Sequence, residues 1–138
     1  MNIRNYRSML VTLTHKFIAA SLLIIVFLAT VCVAEARTVV RTGEEVSLDT
    51  EQTVEGDFYA AATNLLRISG TIEEDLVAAA SRVTVNGTVA GDVFVVGGSV
   101  DIHGIAEDDV RVIGGEVVLA EPVMGDVFVI GGSLHILS

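Results

Sequence analysis

The chain has 138 residues, 51% of them hydrophobic, a single cysteine and a formal net charge of −10 at pH 7. That length allows one domain plus a leader, and one cysteine excludes an internal disulfide framework. After residue 36 five arginines and no lysine stand against seventeen acidic residues, a formal −12. Such a surface repels nucleic acid and anionic headgroups, so no polynucleotide partner is expected.

Residues 1–16 carry Arg4, Arg7 and Lys16 with no acidic residue, and residues 17–33 (FIAASLLIIVFLATVCV) carry no charge. Ala34-Glu35-Ala36 follows. A basic segment, an apolar segment and a small-x-small site make an export signal, with Ala34 and Ala36 marking cleavage before Arg37. The apolar segment is also just long enough for a thin membrane span, so the alternative is a retained anchor. In either case the rest of the chain is expected at the extracytoplasmic face of the membrane, in the cell envelope. Cys32 lies inside the apolar segment, and Ala29-Thr30-Val31 lacks the small residue that lipid attachment needs directly before the cysteine. It reads as apolar filler.

Residues 37–53 form a lead-in. Val46 and Leu48 alternate with polar neighbours, as in a first strand or a cap laid over the start of the repeat region.

Residues 54–138 repeat. Asp57, Asp75, Asp92, Asp109 and Asp126 recur at intervals of 18, 17, 17 and 17 residues. Counted from each Asp as position 1, position 2 holds Phe58, Leu76, Val93, Val110 and Val127, and position 4 holds Ala60, Ala78, Val95, Val112 and Val129. Position 9 holds Leu66, Val83, Val100, Val117 and Leu134, position 11 holds Ile68, Val85, Ile102, Leu119 and Ile136, and position 15 holds Ile72, Val89, Ala106 and Val123. These columns are apolar throughout, with a local spacing of two, the strand period. A fixed short period marks a solenoid, in which stacking joins the inward columns into one core. The spacing predicts an all-β, single-stranded parallel β-helix of about five 17-residue turns. Each turn is expected to have three short strands, with corners such as Gly97-Gly98-Ser99, His103-Gly104 and Asp108-Asp109. Glycine is expected where the backbone turns sharply or takes positive φ. The extra residue of the first full repeat falls around Asn64-Leu65 as a corner bulge, and Pro122 sits where losing a ladder donor costs least.

The turns VTVNGTVAGDVFVVGGSVDIHG and DVRVIGGEVVLAEPVMGDVFVIGGSLHIL resemble the bactofilin family of bacterial polymer-forming proteins. In particular they are similar to its exported relatives, with a leader ahead of G-D-V-x-x-x-G-G-x-V-x-I-x-G repeats. The resemblance covers about residues 54–138. It implies a right-handed β-helix stacking end to end into filaments, a scaffold tied to envelope and cell shape without enzymatic activity. Typical bactofilins are cytoplasmic with disordered polar tails, whereas this chain has an export leader and almost no tail.

Three features invite a functional role. The aspartate column places carboxylates about 5 Å apart, where neighbours repel by roughly 1 kcal/mol even at the dielectric of water. One resolution is that each Asp caps backbone N–H groups at its own corner. The other is a divalent cation such as calcium held by Glu74, Asp75, Asp92, Asp108 and Asp109, which would make the chain a calcium-binding or adhesin-like surface module. Capping is preferred, because the calcium-binding nonapeptide of β-rolls is absent. The second feature is an apolar outer face. With positions 2 and 4 inward, Val77, Phe94, Val96, Ile113, Phe128 and Ile130 point outward beside Arg111 and form a self-association face, unless a segment such as residues 38–48 folds over it. Third, the sequence stops at Leu137-Ser138, thirteen residues into a turn. An open turn is a template for another chain, although a sequence cut short would look the same.

His15, His103 and His135 share no column and form no ligand set. No catalytic triad or carboxylate pair can be placed, and the 17-residue period has no six-residue subrepeat of the acyltransferase kind. The expectation is a non-enzymatic scaffold without cofactor or small-molecule substrate. Its partners are expected to be further copies of itself, with membrane or envelope proteins as others.

Overall fold

The computed structural model describes residues 37–137. The expected leader, with Cys32 and the expected cleavage site at Ala34 and Ala36, lies outside the described residues. Ten strands follow in chain order: β1 Val39–Leu48, β2 Thr53–Val54, β3 Phe58–Ile68, β4 Thr71–Ile72, β5 Leu76–Val85, β6 Thr88–Val89, β7 Val93–Ile102, β8 Ile105–Ala106, β9 Val110–Leu119 and β10 Val127–Ile136. The long strands form one six-stranded sheet in the order β1-β3-β5-β7-β9-β10, and the short ones a four-stranded sheet in the order β2-β4-β6-β8. All pairings are parallel. The chain is a parallel β-solenoid, as the period predicts.

It has six turns rather than five. Val39–Leu48 is not a cap but the first full strand of the stack, pairing Val39 with Phe58 and Leu48 with Ile68. Its offset from β3 grows from 19 to 20 residues across a register shift between Gly43 and Glu45. Seen from β5 the same irregularity is a shift between Ala61 and Leu65, because β3 has eleven residues against ten in each neighbour, the extra one falling where the sequence places it. From β5 onward each strand repeats the last at 17 residues.

The first four turns each carry one long and one short strand, not three short ones. The ladder runs through the glycine pair, from Gly97↔Gly114 to Ser99↔Glu116. The side-chain alternation does change there. Val93 and Val95 point inward, then Val100 and Ile102 do, and a spacing of five cannot be kept by a flat strand with a period of two. The glycine pair thus turns the corner while keeping its neighbours bonded.

The expected columns are the core. Phe58, Leu66, Ile72, Leu76, Val83, Val89, Val95, Val100, Val110 and Val117 are all fully buried, and no polar side chain is. At about 25 cal/mol per Å² of apolar surface, each such side chain stabilises the stack by roughly 1.5–3 kcal/mol over leaving it exposed. The last described strand differs. Val127, Leu134 and Ile136 occupy the same columns at 46%, 45% and 66% exposure, because no described strand lies on the outer edge of β10. At the other edge Arg41 stands in the column of Ala60. Its Nη1 donates to the Ser47 carbonyl at 2.7 Å, and its guanidinium carbon lies 5.5 Å from the centroid of the Phe58 ring. A charged group over an aromatic ring closes that end by a cation–π contact.

Pro122 has the effect its position implies. Thr71, Thr88 and Ile105 each donate an N–H to the turn before, whereas proline has none to give. The second sheet accordingly thins to a single bridge, Ala106↔Val123.

No described glycine has positive φ, so conformational freedom is not why glycine recurs. Close approach is. Gly70, Gly87 and Gly104 stack at one corner, and a Cβ on Gly87 would overlap the Gly70 carbonyl oxygen. Gly87→Ala is therefore expected to lower stability by about 2 kcal/mol or more, since backbone rather than a flexible side chain must move. At Gly43 an added Cβ would meet the Glu45 carbonyl oxygen at 3.2 Å, and Gly43→Ala is expected to cost less than about 1 kcal/mol. Urea unfolding of the two variants checks the contrast.

Candidate functional site

The aspartate corner is built first by the main chain. The carbonyls of Asp57, Asp75, Asp92, Asp109 and Asp126 accept the N–H groups of Val39, Phe58, Leu76, Val93 and Val110, all at 2.8–2.9 Å. The side chains do cap, but across turns rather than within their own corner. Asp75 Oδ1 accepts the Asp92 N–H at 2.9 Å, and Asp109 Oδ1 accepts the Asp126 N–H at 2.8 Å. Only these two do so, and the residue before the next aspartate decides which. Gly91 and Gly125 precede Asp92 and Asp126 and leave room for the carboxylate below, and a Cβ on Gly125 would stand 2.7 Å from Asp109 Oδ1. After Asp57 and Asp92 the same position holds Glu74 and Asp108, and neither carboxylate caps. The Gly-Asp dipeptide was visible in the sequence, and its spacing identifies the caps once the turns are known to stack.

Asp92 finds another partner. Arg111 Nη1 donates to Asp92 Oδ2 at 2.8 Å and Nη2 donates to Asp109 Oδ2 at 2.7 Å. One guanidinium thus bridges carboxylates of successive turns, the fork geometry that arginine supplies and lysine does not. The hydrogen bond that Arg111 donates to Asp92 and the charge of Asp92, with a smaller contribution from Asp109, raise the Arg111 pKa above its already high ordinary value. A raised basic group contributes stability below its unfolded pKa and loses it only as pH climbs through the folded one. The bridge is therefore constant across neutral pH, and half exposure keeps it modest.

Of the five candidate cation ligands, Asp92, Asp108 and Asp109 place oxygens within 4.8 Å of one another, while Glu74 and Asp75 are not part of that group. A divalent ion there would have to displace Arg111, whose two bonds already offset the clustered charge. The corner is more simply understood as a carboxylate ladder whose repulsion Arg111 and the two backbone caps partly offset.

The outer face is the second candidate. Phe94, Val96, Ile113, Phe128 and Ile130 are exposed and Val77 is half-buried, all on the long sheet with their neighbours at positions 2 and 4 turned inward. Residues 39–48 do not fold over this face. They lengthen it, adding Val40 and Thr42 to its two columns. Towards the N-terminal strands the face is hollow. An open groove of about 640 Å³ is lined by Ala61, Ala79, Ala80 and Gly97 among others, and a smaller one of about 220 Å³ by Val40, Tyr59, Ala61 and Ala79. The larger groove has no titratable side chain. His103 sits at a corner and His135 on β10, in separate columns.

Fold and surface together define a parallel β-solenoid with one apolar flank and one acidic edge. In comparison with known proteins the chain matches no family model, no curated protein and no solved structure.

Arg111→Gln should lower the melting temperature at low ionic strength, with the gap to the parent narrowing as salt screens the three carboxylates. Millimolar calcium or a chelator should leave the parent's melting temperature unchanged. A calcium-dependent rise would show that an ion does displace Arg111, because a ligand of the folded state stabilises it.

Proposed function

We propose that this chain is a bactofilin-like, non-enzymatic scaffold of the bacterial cell envelope, exported by its leader and assembled from many copies of itself. The observation that carries this is the apolar flank, which no described segment covers. Six stacked turns present a mostly apolar pair of columns across one sheet, with Val40, Tyr59, Val77, Phe94, Ile113 and Phe128 among them, and the described N-terminal strand extends that band instead of shielding it. Contiguous apolar surface of this kind marks interaction sites in soluble proteins. The constant 17-residue register from β5 onward adds a second route. A turn supplied by another copy against β10 would continue both ladder and core, covering Val127, Leu134 and Ile136. A titratable-free groove of small residues supports a contact surface rather than a reaction site. The expected leader supports the envelope location, and the G-D-V-x-x-x-G-G repeat supports the bactofilin-like reading.

Electron microscopy and sedimentation of the purified protein over a concentration series test this directly. Elongated assemblies whose pelleted mass rises with concentration are expected, and Phe94→Ser with Ile113→Ser should reduce that mass severalfold. A monomer at every concentration, unaffected by the double substitution, would overturn the proposal.

A further inference from the structure

The outer columns of the apolar flank are graded in size. Along the sheet from β1 to β10 the fifth position of each turn reads Thr42, Ala61, Ala79, Val96, Ile113, Ile130. Small residues fill the first three strands and branched ones the last three. The grooves lie over Ala61 and Ala79, and the exposed branched side chains stand beyond them. One half of the flank is a hollow and the other half a ridge.

We propose that this flank binds the same flank of a second copy, with the two solenoids side by side and antiparallel. The proposal deepens the self-association put forward above and rests on it. In a two-fold contact the same patch meets itself, so any complementarity must be internal to the patch. A two-fold axis lying along the strands between β5 and β7 exchanges the first strand with the sixth, the second with the fifth and the third with the fourth. It sets Ile113 of one copy over Ala61 of the other, Val96 over Ala79 and Ile130 over Thr42. Ridge enters hollow twice, once in each direction. In the neighbouring outward column the same axis sets Phe94 against Val77 and Arg111 against Tyr59. A guanidinium whose fork is held by Asp92 and Asp109 still presents a flat face to an aromatic ring.

A parallel side-by-side pair is disfavoured by the same columns. With its two-fold axis along the fifth-position column it would set Ile113 against Ile113 and Ile130 against Ile130, and leave Ala61 and Ala79 facing their own copies. Arg111 is the only charged residue in these two outward columns, so the acidic charge of the chain stays off the antiparallel contact.

The size of the contact sets its strength. Six strands about 4.8 Å apart and five residues of about 3.3 Å each give roughly 450 Å² per copy. The total, roughly 900 Å², falls below the standard interface of about 1,200–2,000 Å². An isolated pair is therefore weak, and the contact gains strength where several copies are already joined, by effective concentration.

Cysteine cross-linking tests the geometry in the full chain with Cys32→Ser. Chains carrying Ala61→Cys are mixed with chains carrying Ile113→Cys, oxidised, and resolved without reductant, with Ala79→Cys and Val96→Cys chains as a second pair. Both substitutions of the first pair lie at exposed outward positions, and circular dichroism checks that each variant keeps its β-structure. The mixed dimer is expected severalfold above either homodimer in both pairs. Predominant homodimers of Ile113→Cys would overturn the antiparallel arrangement. Absence of cross-links in protein that still sediments as an assembly would overturn this contact while leaving self-association standing. Absence of cross-links in a persistent monomer would overturn both.

Discussion

Everything in this molecule depends on the backbone hydrogen bonds between consecutive turns. The ladder from Asp to the residue after the preceding Asp, all at 2.8–2.9 Å, fixes the stacking distance and with it every other contact. With strands about 4.8 Å apart, a side chain has room to point in or out but not along the stack. Gly87 and Gly104 answer that restriction at one corner, where carbonyl oxygens of the turn below occupy the space of a Cβ. A one-residue slip would exchange the inner and outer columns, so the register is held by the whole core at once. Where a turn is longer, as between Leu48 and Thr53 and again between Ala61 and Leu65, the excess is confined to a corner and the columns resume beyond it.

Stacking also lines up like charges, a cost that the sequence meets in two ways. Asp75 and Asp109 turn a carboxylate into an acceptor for the next turn's N–H, made possible by the glycines at 91 and 125. Asp92, facing Asp108 instead of a glycine, takes Arg111. The one arginine on the outer columns thus serves the acidic edge, and the flank beside it stays apolar. Corner and flank are not independent features, since the residue that neutralises one borders the other.

The core was legible because solenoid columns are written into the sequence at a constant period. Val83, Val100 and Val117 announce their neighbours without any knowledge of the fold. The first turn was obscured for physical reasons. Thr38 stands where later turns have Asp, Arg41 stands in an apolar column, and the offsets are 19 and 20 residues instead of 17. Its pattern breaks because, among the described residues, it has a neighbour on one side only, and Arg41 reaches across to Ser47. The direction of the aspartate caps was hidden for a different reason. Local Asx-turns depend on residues two or three apart, whereas these caps join residues 17 apart and depend on the side chain size at a third position. The corner at Gly97-Gly98 was placed correctly, but continuity of the ladder through it depends on backbone geometry that glycine spacing alone does not specify.

Methyl–methyl contacts measured by NMR in selectively labelled protein would test the stacked register most directly. The account predicts that Val100 sees Val83 and Val117 in neighbouring turns, and that Val46 sees Leu66, making residues 39–48 a turn of the solenoid. A column shifted by one residue, or a Val46 with no contact to Leu66, would contradict it.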